Sequence, residues 1–329
     1  MMQDIADLAG QRLMVGFDGT GLTPDLTFLI TRLRVGGLIL FARNVQTPSQ
    51  VRTLIADCQA CAARAGLPPL IVAVDQEGGP VARLRQPRFP EFPAAPEIRD
   101  PAEAEALARR MGRLLRDLGF TMNMAPVVDV AADTRSVMAG RSFGGDPRHV
   151  GRMGAAVVAG LQAEGILAVA KHFPGIGRTT LDSHQVQPVM EASAASMADF
   201  DLPPFATAFA AGAAGVMLSH IRYPGLDPDW PASLSVAVAR DLLRHRMGFD
   251  GLVLTDDLDM GAVKPAIAID TAVARILAAD IDFALICHRS GDIEAAHAHL
   301  AAALSGDSRL LADAEAHAAR IGRFKQLYA

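Results

Sequence analysis

Residues 168–184 read AVAKHFPGIGRTTLDSH. With Gly165, Ile166 and Leu167 before it, the apolar start is a short bounded run and predicts a buried strand over residues 165–170. Polarity then switches on at Lys171 and His172. Pro174, Gly175 and Gly177 mark a loop, which ends in Asp182, Ser183 and His184. Titratable groups therefore gather at and just beyond the C-terminal end of one strand, where parallel α/β barrels keep their active sites. Asp182 and His184 stand two apart, so in extended chain they share a side. A carboxylate there orients an imidazole by accepting from one ring nitrogen, and leaves the other for proton transfer. Taken alone, the same letters also describe a solvated loop with a chance Asp-x-His.

Outward from this stretch the chain alternates. Strand-like runs are expected at residues 11–17, 37–41, 70–74, 120–126, 165–170, 215–219, 251–254 and 283–286. Helical stretches are expected at 23–34, 48–65, 102–118, 147–163, 203–211, 235–247, 266–279, 291–304 and 308–327. Eight apolar strands with intervening helices predict a parallel sheet, and eight is the number that closes a (β/α)8 TIM-type barrel. There is no low-complexity linker, so residues 1–329 are expected to form a single catalytic domain. The Pro-rich residues 86–97 are the expected long loop after the third strand.

Half of the 329 residues are hydrophobic and the net charge is −5 with both signs scattered. A large core is expected, and neither a nucleic-acid surface nor a membrane span. One Trp and two Tyr give no base-stacking platform. The N-terminal residues carry Asp4 and Asp7 with no basic stretch before an apolar run, which predicts no signal peptide and a cytoplasmic protein. Three cysteines predict no disulfide framework, and the C-x-x-C of Cys58 and Cys61 has no second pair to complete a zinc site.

Polar residues recur at the expected strand ends: Asn44, Asp75, Asp129, Lys171 with His172, Ser219 with His220, Asp256 with Asp257, and His288. No G-x-G-x-x-G follows the first strand and no Walker A sequence is present, so a nucleotide or dinucleotide cofactor is not expected. Lys171 beside the histidine and aspartate cluster disfavours a metal centre, and no cofactor is expected at all. Asp256 is placed as a strand-end nucleophile or, alternatively, as a helix N-cap. His220 and His288 receive no role.

The stretch Lys-His-Phe-Pro-Gly-x-Gly followed by Asp-Ser-His resembles the signature of family-three glycoside hydrolases, in their β-N-acetylhexosaminidase branch. The resemblance runs nearly the length of the chain. It takes in NMAPVVD at 123–129, RSFGGDP at 141–147, PASLS at 231–235, LVLTDDLDM at 252–260 and DFALIC at 282–287. It implies a retaining hydrolase that releases terminal β-linked N-acetylglucosamine, with Asp256 as nucleophile and the His184–Asp182 pair as acid/base dyad. It also implies that Asp75, Arg83, Arg141, Lys171 and His172 bind the substrate. Gly78 and Gly79 are expected to turn the backbone tightly beneath the ligand.

Such proteins cut N-acetylglucosamine from peptidoglycan fragments during cell-wall recycling. A monomer acting on a small carbohydrate is expected. Two positions depart from the branch: Ile176 stands where a His is usual, and Pro80 where Arg is frequent. A β-glucosidase, a glycoside phosphorylase or a non-catalytic sugar-binding relative remain as alternatives, and Glu77 is the next candidate acid.

Overall fold

The computed structural model describes residues 4–179, 188–261, 267–288 and 290–327. Asp182 and His184 lie outside the described residues. Eight parallel strands close a barrel: β1 (Leu13–Val15), β2 (Gly37–Leu40), β3 (Ile71–Val74), β4 (Met122–Asn123), β5 (Leu167–Phe173), β6 (Gly215–Leu218), β7 (Leu252–Asp257) and β8 (Phe283–Ile286). Each strand pairs with its sequence neighbours, and β8 returns to β1 through Leu13↔Ala284 and Val15↔Ile286. The expected (β/α)8 fold is the observed one.

The strands read as continuous apolar runs because both faces of a parallel sheet are covered. Met14, Ile39, Ile71, Met122, Leu167, Val169, Leu254, Phe283 and Leu285 fill the barrel interior, as layers of side chains fill such barrels. The outward-facing set, including Val15, Leu38, Val72, Ala168, Val216 and Val253, packs under the helices.

Local signals set the helix starts. Asp100 accepts from Glu103 N at 2.9 Å and opens the helix Pro101–Leu118. Gly119, at φ 94°, ends that helix in the left-handed region that glycine takes most readily. Asp146 accepts from Arg148 N at 3.0 Å and opens Pro147–Gln162, so Arg141 is carried on the loop just before a capped helix.

Four features differ from the sequence reading. A helix, Ile5–Gln11, precedes β1, which is shorter than expected. The helix expected at 203–211 is preceded by a second, Ala194–Phe200. A ribbon of Arg222–Tyr223 with Asp227–Pro231 follows β6. Lastly, β5 does not stop at Ala170. Lys171 and His172 sit on the strand itself, because its pairing to β6 continues through Lys171↔Met217 and Phe173↔Leu218. The apolar run stops earlier than the strand because charged partners, not hydrophobicity, take up its last residues.

Candidate active site

A cavity of about 440 Å³ opens at the C-terminal ends of the strands. Asp75, Arg83, Arg141, Lys171, His172 and Asp256 all line it, so six of the eight residues singled out from sequence meet in one place. Asp182 and His184 are the other two.

The cavity floor is an ion network. Lys171, buried on β5, donates from Nζ to Asp75 Oδ1 at 2.8 Å and reaches Glu77 Oε1 at 2.7 Å. Arg83 Nη2 donates to Asp75 Oδ2 at 3.0 Å. Arg141 grips Glu77 with two parallel bonds, Nε to Oε2 at 2.9 Å and Nη2 to Oε1 at 2.7 Å, the fork geometry that lysine cannot supply. Burial alone would raise the Asp75 and Glu77 pKa values, but Lys171 with Arg83 or Arg141 outweighs it and holds both below the usual carboxylate range. Burial would likewise lower Lys171, and its two carboxylates instead raise it.

Gln76 sets the position of Arg83. Its Oε1 accepts from the backbone N–H of Arg83 at 2.9 Å and of Leu84 at 3.0 Å, which fixes the short ribbon Gln76–Gly78 with Val81–Ala82. The glycine pair turns the backbone tightly, as expected. Gly78 and Gly79 have φ of 103° and 53°, and a Cβ on them would meet Pro93 O at 2.3 Å and Ala94 Cβ at 2.5 Å. They also make room for residues 92–94 of the Pro-rich loop. Pro80 is exposed at the turn, and neither it nor Ile176 is among the residues lining the cavity. Arg83 Nε is buried with no hydrogen-bond partner among the described residues.

Opposite this floor, Asp256 ends β7 half-buried, and its Oδ1 accepts from Asp257 N at 2.8 Å. The helix-cap alternative does not describe it: Asp256 and Asp257 are still strand, and the next described helix begins at Ile269. Asp257 Oδ1 accepts from Asp259 N and Cys287 N, both at 3.0 Å. Burial, helped by the charges of Asp259 and Asp256, pushes the Asp257 carboxyl up to about 7.

His220, buried between Ser233 Oγ at 2.6 Å and Asp257 O at 2.8 Å, ties β6 to β7. His288 stands at the rim against Arg43 and Phe41.

Two groups act differently from their sequence reading, in which Glu77 is only the fallback acid and Asp129 only a strand-end residue. Glu77 is the shared counter-ion of Lys171 and Arg141, and Asp129 holds His172 Nδ1 at 2.8 Å. Both stood in plain view beside expected strand ends, but their partners are 43 to 94 residues away in sequence, and no local pattern records that.

A model of the glycosyl hydrolase family 3 N terminal domain matches residues 10–321. A beta-hexosaminidase of Pseudomonas aeruginosa is 39% identical over 292 residues, which are 88% of this chain and 86% of that protein. Among solved structures, a family 3 beta-N-acetylglucosaminidase from Paenibacillus sp. superposes with a TM-score of 0.94 at 34% identity. The match covers 99% of this chain and 64% of that one, so the chain spans just under two thirds of that protein. A beta-N-acetylhexosaminidase from Beutenbergia cavernae gives a TM-score of 0.92 at 32% identity, covering 98% and 99%. The chain belongs to glycosyl hydrolase family 3. It is a glycosidase.

Proposed function

We propose that the chain is a retaining β-N-acetylhexosaminidase that releases terminal β-linked N-acetylglucosamine, with fragments of peptidoglycan in the cytoplasm as its substrate. The observation that carries the reading is the placement of Asp256, a carboxylate with no ion-pair partner among the described residues, across a 440 Å³ cavity from a floor of fixed donors and acceptors. A retaining glycosidase needs that division. One carboxylate attacks the anomeric carbon and forms the glycosyl-enzyme, while the other groups hold the ring. Asp75 is bonded by Lys171 and Arg83 and held ionised, so it accepts from sugar hydroxyls. Arg83, which lines the same cavity, donates to one.

The acid/base role goes to His184, oriented by Asp182. The ion network supports looking outside the floor for the proton: Asp75 and Glu77 are both held low and have none to give at neutral pH. This argues against Glu77 as the fallback acid. A second reading rests on Asp257, which lines the cavity and whose carboxyl is pushed up to about 7 by burial.

The experiment compares aryl N-acetylglucosaminides with poor and activated leaving groups in His184→Ala and Asp257→Asn variants, with and without azide. A loss in kcat/KM confined to the poor leaving group, with a lowered kcat on the activated one that azide restores, is expected for His184→Ala alone. The same signature in Asp257→Asn instead would transfer the role. Activity only with added phosphate would make the enzyme a phosphorylase, and equal kcat/KM on the plain glucoside would remove the N-acetyl preference.

A further inference from the structure

Asp129 is fully buried, and three N–H groups converge on its two oxygens. Oδ2 accepts from the backbone N–H of His172 at 3.1 Å and lies 2.8 Å from His172 Nδ1. Oδ1 accepts from the backbone N–H of Ile176 at 2.7 Å. A carboxylate only accepts, so the proton between it and the imidazole resides on Nδ1, and in the neutral ring the lone pair is then on Nε2. A second neighbour favours the same arrangement. Arg141 Nη2, already bonded to Glu77, lies 3.5 Å from His172 Nε2, beyond a normal hydrogen bond. A cation there faces a lone pair rather than a second ring N–H, and at that distance leaves the lone pair open to a substrate hydroxyl.

No other side chain of this size meets those demands. An amide in place of Asp129 has one acceptor oxygen and turns its NH2 toward either His172 or Ile176, where another N–H already points. The bond to Ile176 also answers what the isoleucine in the Gly-x-Gly stretch contributes: its backbone N–H is the anchor, and its side chain is buried in the core rather than facing the cavity.

We propose that Asp129 is a positioning residue that fixes His172 as a hydrogen-bond acceptor, so that the cavity demands a hydroxyl donor of the substrate at His172 Nε2. The inference rests on the cavity holding the terminal sugar. Lys171, next to His172 on β5, and Arg83 are donors that line the same cavity and recognise oxygen lone pairs. A hydroxyl between them gives its proton to His172 and accepts from a cation, which a fluorine or a hydrogen in its place does not do.

The test measures kcat/KM for a nitrophenyl N-acetylglucosaminide and its 3-, 4- and 6-deoxy and fluoro analogues. Wild-type enzyme is expected to lose about 10–100-fold on one deoxy analogue, as for a lost bond to a polarised group. The matching fluoro analogue should lose as much, because fluorine cannot donate. In Asp129→Asn the parent substrate should fall toward that level, mainly through KM, and the penalty for the analogue should disappear. A fluoro analogue that restores activity, or a penalty that survives Asp129→Asn, overturns the proposal.

Nitrogen NMR of the wild-type enzyme decides the matter even when Asp129→Asn does not fold. With the signal assigned by its absence in His172→Ala, Nδ1 is expected to be protonated and Nε2 bare, and a protonated Nε2 in the neutral ring overturns the proposal. Wild-type enzyme that fails to turn over the parent sugar would instead remove the reading of the cavity, and leave the tautomer result standing on its own.

Discussion

Lys171 and Lys325 are both buried, at opposite ends of one barrel, and their pKa values move in opposite directions. Lys171, at the C-terminal mouth, sits between Asp75 and Glu77 and is raised despite burial. Lys325, on the last helix at the other end, donates to the neutral Gln11 Oε1 at 2.7 Å, and burial lowers it from 10.5 to about 7. Desolvation acts on both. Only the mouth supplies the opposing charges that reverse it.

A second buried charge lies at the base. Asp282, just before β8, accepts from Arg244 Nη2 at 2.6 Å, His317 Nδ1 at 2.7 Å and Arg320 Nη1 at 2.8 Å. Those bonds tie helices to the barrel. At the mouth the same types of charge line a cavity open to a substrate. The two ends thus divide the work, charge for chemistry above and charge for closure below.

Four substitutions test that division, from the largest effect to the smallest. Asp256→Ala should cost at least about 10⁴-fold in kcat, the scale set by removing catalytic nucleophiles, while the thermal midpoint stays near wild type. Retention of a near-normal rate would move the nucleophile elsewhere. His184→Ala should lose about 10²–10⁴-fold in kcat/KM on a poor leaving group and much less in kcat/KM on a dinitrophenyl substrate.

At the base, Asp282→Asn should leave Arg244 and Arg320 facing a neutral group and cost on the order of 3–5 kcal/mol in denaturant unfolding. The kcat of the folded fraction should be unchanged. A fall in kcat there would break the comparison.

Lys325→Met should act the other way. Between about 7 and 10.5 the unfolded chain holds a proton on Lys325 that the folded chain lacks, so stability recovers as pH rises through that window and the burial cost is greatest below it. The methionine variant should therefore be more stable by a few kcal/mol at pH 6, with the gain fading toward pH 10. A gain independent of pH would mean that Lys325 titrates normally.

The sequence made the barrel legible because each strand is an apolar run closed by a polar residue, and Asp75, Lys171, His172 and Asp256 follow from that rule, whereas Arg83 and Arg141 came from the family resemblance. Lys171 and His172 were seen at the end of β5 but placed beyond it, since an apolar run marks only the hydrophobic part of a strand. The crowding of Gly78 and Gly79 was not legible, because the backbone that meets them is the Pro-rich loop at residues 92–94. The partners of Glu77 and Asp129 were not legible for a related reason. A buried carboxylate is defined by who donates to it, and the donors, Lys171, Arg141 and His172, arrive from other strands and loops.

The account turns on Asp256 as the attacking carboxylate. Incubation with a 2-deoxy-2-fluoro glycoside carrying an activated leaving group, followed by intact mass and peptide mapping, measures this directly. One sugar per chain, ester-linked to Asp256 and released on standing with turnover restored, is the predicted result. A label on any other residue would contradict it.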